Sequence, residues 1–174
     1  MNISQAIEQV AAALQLSPAC LTVTGSRRFG PHARHSFMDD ERDLDASADL
    51  DIVIPTTNAW RTVAMVFAMT TEGWVVGKHP NAIEHYDEDG WCNLVARKDG
   101  AVVNLIIKTP REAFGWRFAS DVMDLVWRAN PQAFADKVVR VNTFRALREK
   151  VGSMDHHGTV EELRIERGRG YSEV

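Results

Sequence analysis

Two stretches of the sequence decide the fold: TVTGSRRFG at residues 22–30 and ADLDIVI at residues 48–54. In the first, an alternating run predicts a short strand that leads directly into a Gly-Ser turn. In the second, the apolar run Ile52–Ile54 predicts another strand, which begins just after a pair of aspartates. The segment between them, residues 27–48, is polar and densely charged. We therefore expect a loop there.

The residue types around the Gly-Ser turn suit the binding of phosphate. Gly25 lets the backbone come close to an anion, and Ser26 adds a hydroxyl and an amide donor. A helix that starts just after Ser26 would direct its free N–H groups to the same place. Arg27 and Arg28 would add positive charge. The pattern predicts that Gly25, Ser26, Arg27 and Arg28 bind a triphosphate.

Asp49 and Asp51 are the candidate metal ligands and catalytic residues. They lie two positions apart at a strand start, so their carboxylates point the same way, about 6–7 Å apart along the strand. Such a pair can share two divalent ions, Mg²⁺ or alternatively Mn²⁺, which would hold phosphate oxygens. Asp43 and Asp45 repeat the spacing within the charged loop. We prefer Asp49 and Asp51 because only they lead straight into the apolar strand.

The second half of the chain predicts a hairpin followed by helices. Asp99-Gly100 between two β-rich runs predicts a hairpin over residues 91–108. Thr109–Glu112 is a capping box that begins a helix running to about Arg128. A further helix, opened by Asn130-Pro131, is expected to end near Gly152, with an apolar face at regular helical spacing. The members of that face are Phe134, Val138, Val141, Phe144 and Leu147.

Two more helices are predicted in the first half of the chain, at residues 3–14 and from about Thr57 to Gly73. The second has one apolar face, formed by Trp60, Val63, Ala64 and Phe67. The order of elements predicts an α+β fold: a mixed β-sheet backed by helices, with a helical C-terminal part. Residues 1–152 are expected to form one domain, and residues 153–174 a polar tail with few fixed contacts.

Composition excludes several classes of protein. The chain is 45% hydrophobic and carries a net charge of −4, which excludes wholesale disorder and gives no support to nucleic acid as a partner, although a local basic patch would still allow it. No apolar run approaches the ~18 residues of a membrane span. The start lacks the basic region of a signal peptide. Cys20 and Cys92 form no zinc or redox motif, so we expect a cytoplasmic protein.

TVTGSRRFG and ADLDIVI together resemble the signature of the nucleotidyltransferase superfamily, which includes DNA polymerase β, kanamycin nucleotidyltransferase and the minimal nucleotidyltransferases. That signature is an apolar strand, Gly-Ser, a short helix, and Asp-x-Asp on the next strand. The resemblance covers residues 19–108 well and residues 109–152 only by helix content. The arrangement is also similar to small members encoded by bacteriophages. It implies a magnesium-dependent transfer of a nucleoside monophosphate, from ATP or another nucleoside triphosphate, to a hydroxyl acceptor.

The sequence departs from that family in two places. The loop at residues 27–48 is longer than usual and could be a lid over the nucleotide or an acceptor-binding loop. Asn104 occupies the place of the third carboxylate, where its carbonyl can ligate a metal but cannot accept a proton from a hydroxyl. Three acidic residues of the preceding segment are candidate substitutes: Glu84, Asp87 and Asp89.

Three hypotheses for function remain open. The first is an enzyme that acts on an unknown hydroxyl acceptor in protein, RNA or a small molecule. The second, favoured by Asn104, is a catalytically weak member that works as a binding or inhibitory module on a protein partner, resembling an antitoxin or a host-targeting protein. The third is an unrelated adaptor.

A base could also stack on Trp116, with a phosphate beside Lys108 or Arg117.

Overall fold

The computed structural model describes residues 1–56, 59–78 and 93–153. Within these ranges the chain has an α+β fold, as predicted, in which one five-stranded mixed sheet is packed between helices. The strands are β1 Thr22–Thr24, β2 Leu50–Pro55, β3 Val75–Lys78, β4 Asn93–Lys98 and β5 Ala101–Lys108. The helices are α1 Ile3–Leu14, α2 Ser26–Phe29, α3 Ala59–Thr71, α4 Pro110–Ala129 and α5 Lys137–Ser153.

The strand order β1-β2-β5-β4-β3 brings the two sequence motifs together. β2 is antiparallel to β1 and parallel to β5, while β4 is antiparallel to both β5 and β3. Asp51 on β2 stands opposite Thr24 on one side and Asn104 on the other. The end of the first motif, the Asp-x-Asp pair and the asparagine are therefore neighbours across three adjacent strands.

Local sequence signals account for the hairpin and for the start of α4. Asp99 and Gly100 both have positive φ, 50° and 79°, which defines the type I′ turn that suits the twist of a two-residue hairpin. At the start of α4 the side chain of Thr109 accepts from the backbone of Glu112, whose own side chain accepts from the Thr109 backbone. Both predictions are confirmed.

Two apolar layers hold the sheet. The larger lies where α1 and α3 pack, with Leu50, Ile52 and Ile54 of β2 fully buried in it. The smaller joins Val53 and the start of α4. Because β2 is buried on both faces, it is expected to contribute strongly to stability: a fully buried Ile side chain is worth about 1.5–3 kcal/mol.

The predicted apolar face of α3 is wrong. Val63 is 62% exposed and Phe67 72% exposed, whereas Met69 is fully buried with Met65 and Val66 beside it. Apolar residues occupy nearly every side of this helix, so their spacing cannot select the face that meets the sheet. The side chain of Trp60 lies outside the described residues.

The predicted start of the last helix is also wrong. Asn130 and Pro131 belong to a turn, and α5 begins only at Lys137. Phe134, expected on the helix, is buried before it begins, while Val138 is 67% exposed. The turn is fixed locally, since the Asn130 side chain accepts from the backbone of Gln132.

After its first residues, which belong to α2, the long charged segment is a loop, as predicted. It also contains a short 3₁₀ turn at Phe37–Asp39 and, contrary to expectation, contributes to the core. Leu44 is buried in the main apolar layer, and its backbone donates to Met1. Asp40 is buried and paired with Arg42. The Leu44 contacts fasten the loop to the N-terminal part of the fold, and the Asp40–Arg42 pair stabilises the loop itself. Among the described helices none is long and apolar enough to cross a membrane. Of the predicted tail at residues 153–174, Ser153 ends α5 and the rest lies outside the described residues.

Candidate active site

Asp51 lies against the backbone of Gly25, and this contact forms the centre of the site. Gly25 has φ +76° and ψ −162°, a conformation that only glycine adopts readily. A Cβ at this position would overlap the Oδ2 of Asp51 and lie 2.9 Å from its Cγ. Asp49 precedes β2 and is half-buried. The Gly-Ser turn and the Asp-x-Asp pair therefore meet, as the sequence predicts.

Asn104 completes this polar group from the adjacent parallel strand. Its Nδ2 donates to the Oδ1 of Asp51 at 2.8 Å, and the residue is only 7% exposed. Its own Oδ1 is buried and has no hydrogen-bond partner among the described residues. An unpaired buried acceptor costs about 1–3 kcal/mol. A cation or a donor from a ligand would remove that cost.

Burial, assisted by the nearby Asp49 carboxylate, raises the pKa of Asp51 from 3.8 to about 7. The hydrogen bond from Asn104 and the charge of Arg140 oppose this shift of the pKa. In the protein alone, the hydrogen bond and the positive charge near Asp51 do not compensate for the burial of its ionised form.

The oxygen donors fit a hard divalent cation. Carboxylates of Asp49 and Asp51 and the orphaned carbonyl of Asn104 are the ligand types that Mg²⁺ and Mn²⁺ prefer. No group of three or more His, Cys, Asp or Glu side chains suited to a metal occurs within the described ranges. The substitutes suggested for the missing carboxylate, Glu84, Asp87 and Asp89, fall outside those ranges.

A cavity of about 510 Å³ opens beside Asp51. Gly25 and Asp51 lie in its wall, and so do four basic side chains. These are Lys108 of β5 and Arg140, Arg145 and Arg148 of α5. The lining thus combines the carboxylate of Asp51 with four basic side chains, which we call the basic wall. Such a cavity suits an anionic ligand of nucleotide size together with a cation.

Aromatic side chains fix α5 against the rest of the site. Phe144 stacks on Phe29 of α2, with ring centroids 6.1 Å apart, and meets Trp116 edge-on at 4.9 Å. The guanidinium of Arg148 lies 4.9 Å from the Trp116 ring, and Lys108 lies 5.6 Å from it. Stacking energies of this kind, about 0.5–1.5 kcal/mol each, hold the basic wall in position.

Arg27 and Arg28, predicted to bind phosphate, are instead engaged with the protein. Both are only 7% exposed. Arg27 donates twice to the carbonyl of Ala48, and Arg28 donates to the carbonyl of Val23 and to Asp121. Neither lines the cavity. The two arginines tie the Gly-Ser turn to the charged loop and to α4, and their phosphate role stays a prediction.

The other predicted site residues also fall into two groups, those that lie at the site and those that bind the protein itself. Ser26 is half-buried at the start of α2, next to Gly25. Trp116 and Lys108 do reach the cavity, whereas Arg117 donates to Thr22 and to the carbonyls of Ala19 and Leu21.

Apart from Phe29 of α2, no residue of the charged segment at 27–48 lines the cavity, and its role as a lid or as an acceptor-binding loop stays a prediction. Asp43 pairs with the chain's N-terminal amine at 2.8 Å, and Asp45 accepts from Ser47. These two aspartates thus interact outside the cavity.

Sequence reasoning missed the basic residues of α5. Arg140, Phe144 and Arg148 recur every four residues, a spacing that puts them on one side of a helix. That alternation of basic and aromatic side chains was the sequence pattern that could have indicated a binding surface on this helix.

The raised pKa of Asp51 predicts a specific dependence of stability on pH. The folded state binds the Asp51 proton more tightly than the unfolded chain, so this stabilisation is complete below pH ~4 and is lost as pH rises through 7. In EDTA we expect Asp51→Asn to exceed the wild type in free energy of unfolding by on the order of 2 kcal/mol at pH 8, and to equal it near pH 4. Urea titrations at both pH values measure this. A difference independent of pH would contradict it.

No model of a known protein family matches this sequence, and no curated protein matches it either. The chemistry of the site therefore has to be argued from its own residues.

Proposed function

We propose that the protein is a nucleotidyltransferase-like enzyme that transfers a nucleoside monophosphate from a nucleoside triphosphate to a hydroxyl acceptor. The observation that carries the proposal is the position of Asp51: it contacts the Gly25 turn, pairs in register with Asn104, and lies in the wall of a cavity with four basic side chains. Polyanion binding beside a carboxylate pair is what this chemistry requires.

Asp49, Asp51 and the Asn104 carbonyl are the residues proposed to hold the divalent cations. When bound, Mg²⁺ would neutralise phosphate charge and lower the pKa of the acceptor hydroxyl. The four basic side chains of the cavity would share with the cation the neutralisation of a triphosphate.

The chain's own residues bind and orient the reactants. Lys108, Arg140 and Arg148 attract the phosphates, and Gly25 lets Asp51 pack against the backbone of the turn. The acceptor oxygen bonds to the α-phosphorus, the bond between that phosphorus and the oxygen bridging to the β-phosphate breaks, and pyrophosphate leaves in line with the attack. The hydroxyl proton passes to solvent, because Asn104 cannot take it.

The proposal is tested by calorimetric titration of each of the four ribonucleoside triphosphates with and without Mg²⁺. The same protein is then incubated with α-labelled nucleotide, Mg²⁺ or Mn²⁺, and a cell extract. Magnesium-dependent binding and a labelled product are expected. If no triphosphate binds with either metal, the proposal fails.

A second candidate, the binding or inhibitory module, is favoured by one observation. The side-chain amide of Asn104 donates a hydrogen bond to the Oδ1 of Asp51. A carboxylate at position 104 would instead add a negative charge to the site. A protein that binds nucleotide and transfers it slowly, or not at all, would have this arrangement.

Asn104→Asp separates the two candidates. We expect the added carboxylate to increase Mn²⁺ affinity about tenfold and to raise the rate of labelled-product formation, because it supplies both charge and a proton acceptor. The change is measured by metal titration and by product formation over time. Lower Mn²⁺ affinity in the variant would show that Asn104 is not beside the metal. Val102→Asp, on the same strand, is the control for added charge.

A further inference from the structure

Helix α5 carries a concentration of positive charge that contrasts with the rest of the chain. It contains five basic residues and one acidic residue, whereas the whole protein has a net charge of −4. Counted from Lys137, the side chains of Arg140, Arg145 and Arg148 lie three, eight and eleven residues along the helix. These spacings place all four on one face. At 1.5 Å per residue that face extends for roughly 16 Å.

This basic face begins outside the cavity and continues into it. Lys137 is exposed at the start of the helix, and Arg145 is exposed while also lining the cavity. Neither side chain has a hydrogen bond or ion pair with any residue that the structure describes. Arg140 lies deeper, where its guanidinium donates to the carbonyl of Phe134 and its charge acts on Asp51. The face therefore forms a graded approach from solvent to the acidic centre.

Aromatic rings lie beside this basic face. Trp116 and Phe144 line the same cavity as Arg140 and Arg148. Basic grooves lined with aromatic rings commonly bind single strands of nucleic acid. Here Phe144 is stacked on Phe29 and Arg148 lies over Trp116, so the proposed contacts are those of the exposed cations with the phosphates. A cationic small-molecule acceptor would be repelled by the same surface.

We propose that the basic face of α5 binds single-stranded nucleic acid and directs its 3′-terminal hydroxyl toward Asp51, so that the acceptor is a nucleic-acid 3′ end. This inference rests on the proposed function, of which it names the acceptor. The local charge of α5 supplies the attraction that the net charge of the chain does not.

The test uses fluorescence anisotropy with 5′-labelled ten-nucleotide RNA and DNA strands at 50–200 mM salt. The key variant is Lys137→Gln/Arg145→Gln, because both side chains are exposed and neither has a side-chain partner among the described residues. We expect the wild type to bind the strands, and the variant to bind at least tenfold more weakly. The slope of log affinity against log salt should fall by about 1.4 for two lost phosphate contacts.

Arg97→Gln is a control for the loss of surface charge, because it removes an exposed positive charge from β4, away from α5, and should leave strand binding unchanged. Equal losses in the control and in the variant would overturn the proposal, as would a wild type that binds neither RNA nor DNA. Extension of a strand ending in a 3′-hydroxyl, but not of one ending in a 3′-phosphate, supports it. Extension of neither, while a protein or small molecule in the extract is labelled, overturns it.

Titration of triphosphate on the wild type shows which idea has failed. Triphosphate binding without strand binding overturns the acceptor assignment alone. Absence of both overturns the proposed function as well.

Discussion

Asp51→Asn should weaken magnesium-dependent triphosphate binding more than tenfold while leaving the protein folded. Tenfold corresponds to about 1.4 kcal/mol, which is modest for the loss of one of two carboxylate charges from a site that must hold a divalent cation. The fold should survive because the amide oxygen of the new side chain can still accept from Asn104, as the carboxylate of Asp51 does at 2.8 Å. Calorimetric titration with and without Mg²⁺ measures the change, and Asp49→Asn should behave similarly.

Asp43→Asn and Asp45→Asn are the controls for that experiment. They reproduce the same chemical change in the second Asp-x-Asp, whose side chains pair with the N-terminal amine and with Ser47. Both should leave triphosphate binding within twofold of the wild type. If these controls lose binding while Asp49→Asn and Asp51→Asn retain it, the wrong pair has been assigned to the site. If none of the four matters, the proposed function fails.

Short-range signals in this sequence were sufficient wherever neighbours along the chain set the geometry. The type I′ turn at Asp99-Gly100 and the capping box at Thr109 depend on residues within four positions of one another. The meeting of Gly25 with Asp51 was also predictable, because the Gly-Ser turn follows one predicted strand and the Asp-x-Asp pair begins the next. The raised pKa of Asp51 was not, because it arises from burial by the whole fold.

Tertiary packing decided the features that sequence reasoning missed. Phe67 is as apolar as Met69, and only the position of the sheet determines which of them is buried. The same holds for the basic residues. Arg28 has the same chemistry as Arg148, yet Arg28 is buried against Val23 and Asp121 while Arg148 lies over Trp116 in the cavity. The sequence shows which basic residues lie near the motif. Only tertiary packing determines which of them bind the protein itself and which line the cavity.

Gly25→Ala should lower the free energy of unfolding by about 3 kcal/mol or more. A non-glycine residue at φ +76° and ψ −162° costs on the order of 1–3 kcal/mol in backbone strain alone. In addition, the new Cβ would overlap the Oδ2 of Asp51 and lie 2.9 Å from its Cγ, so the carboxylate must move. Urea unfolding measures the loss of stability, and triphosphate binding should disappear with it because the acidic centre is displaced.

Gly77→Ala is the matched control, because a Cβ at that position meets nothing within 4 Å and its backbone has no positive φ. Its stability should stay within about 0.5 kcal/mol of the wild type. A double variant, Gly25→Ala with Asp51→Ala, separates the two causes: removing the carboxylate relieves the overlap but not the strain. The double variant should therefore be more stable than the two single changes added together. Strict additivity would mean that Gly25 and Asp51 do not constrain one another, and the contact at the centre of the proposed site would lose its support.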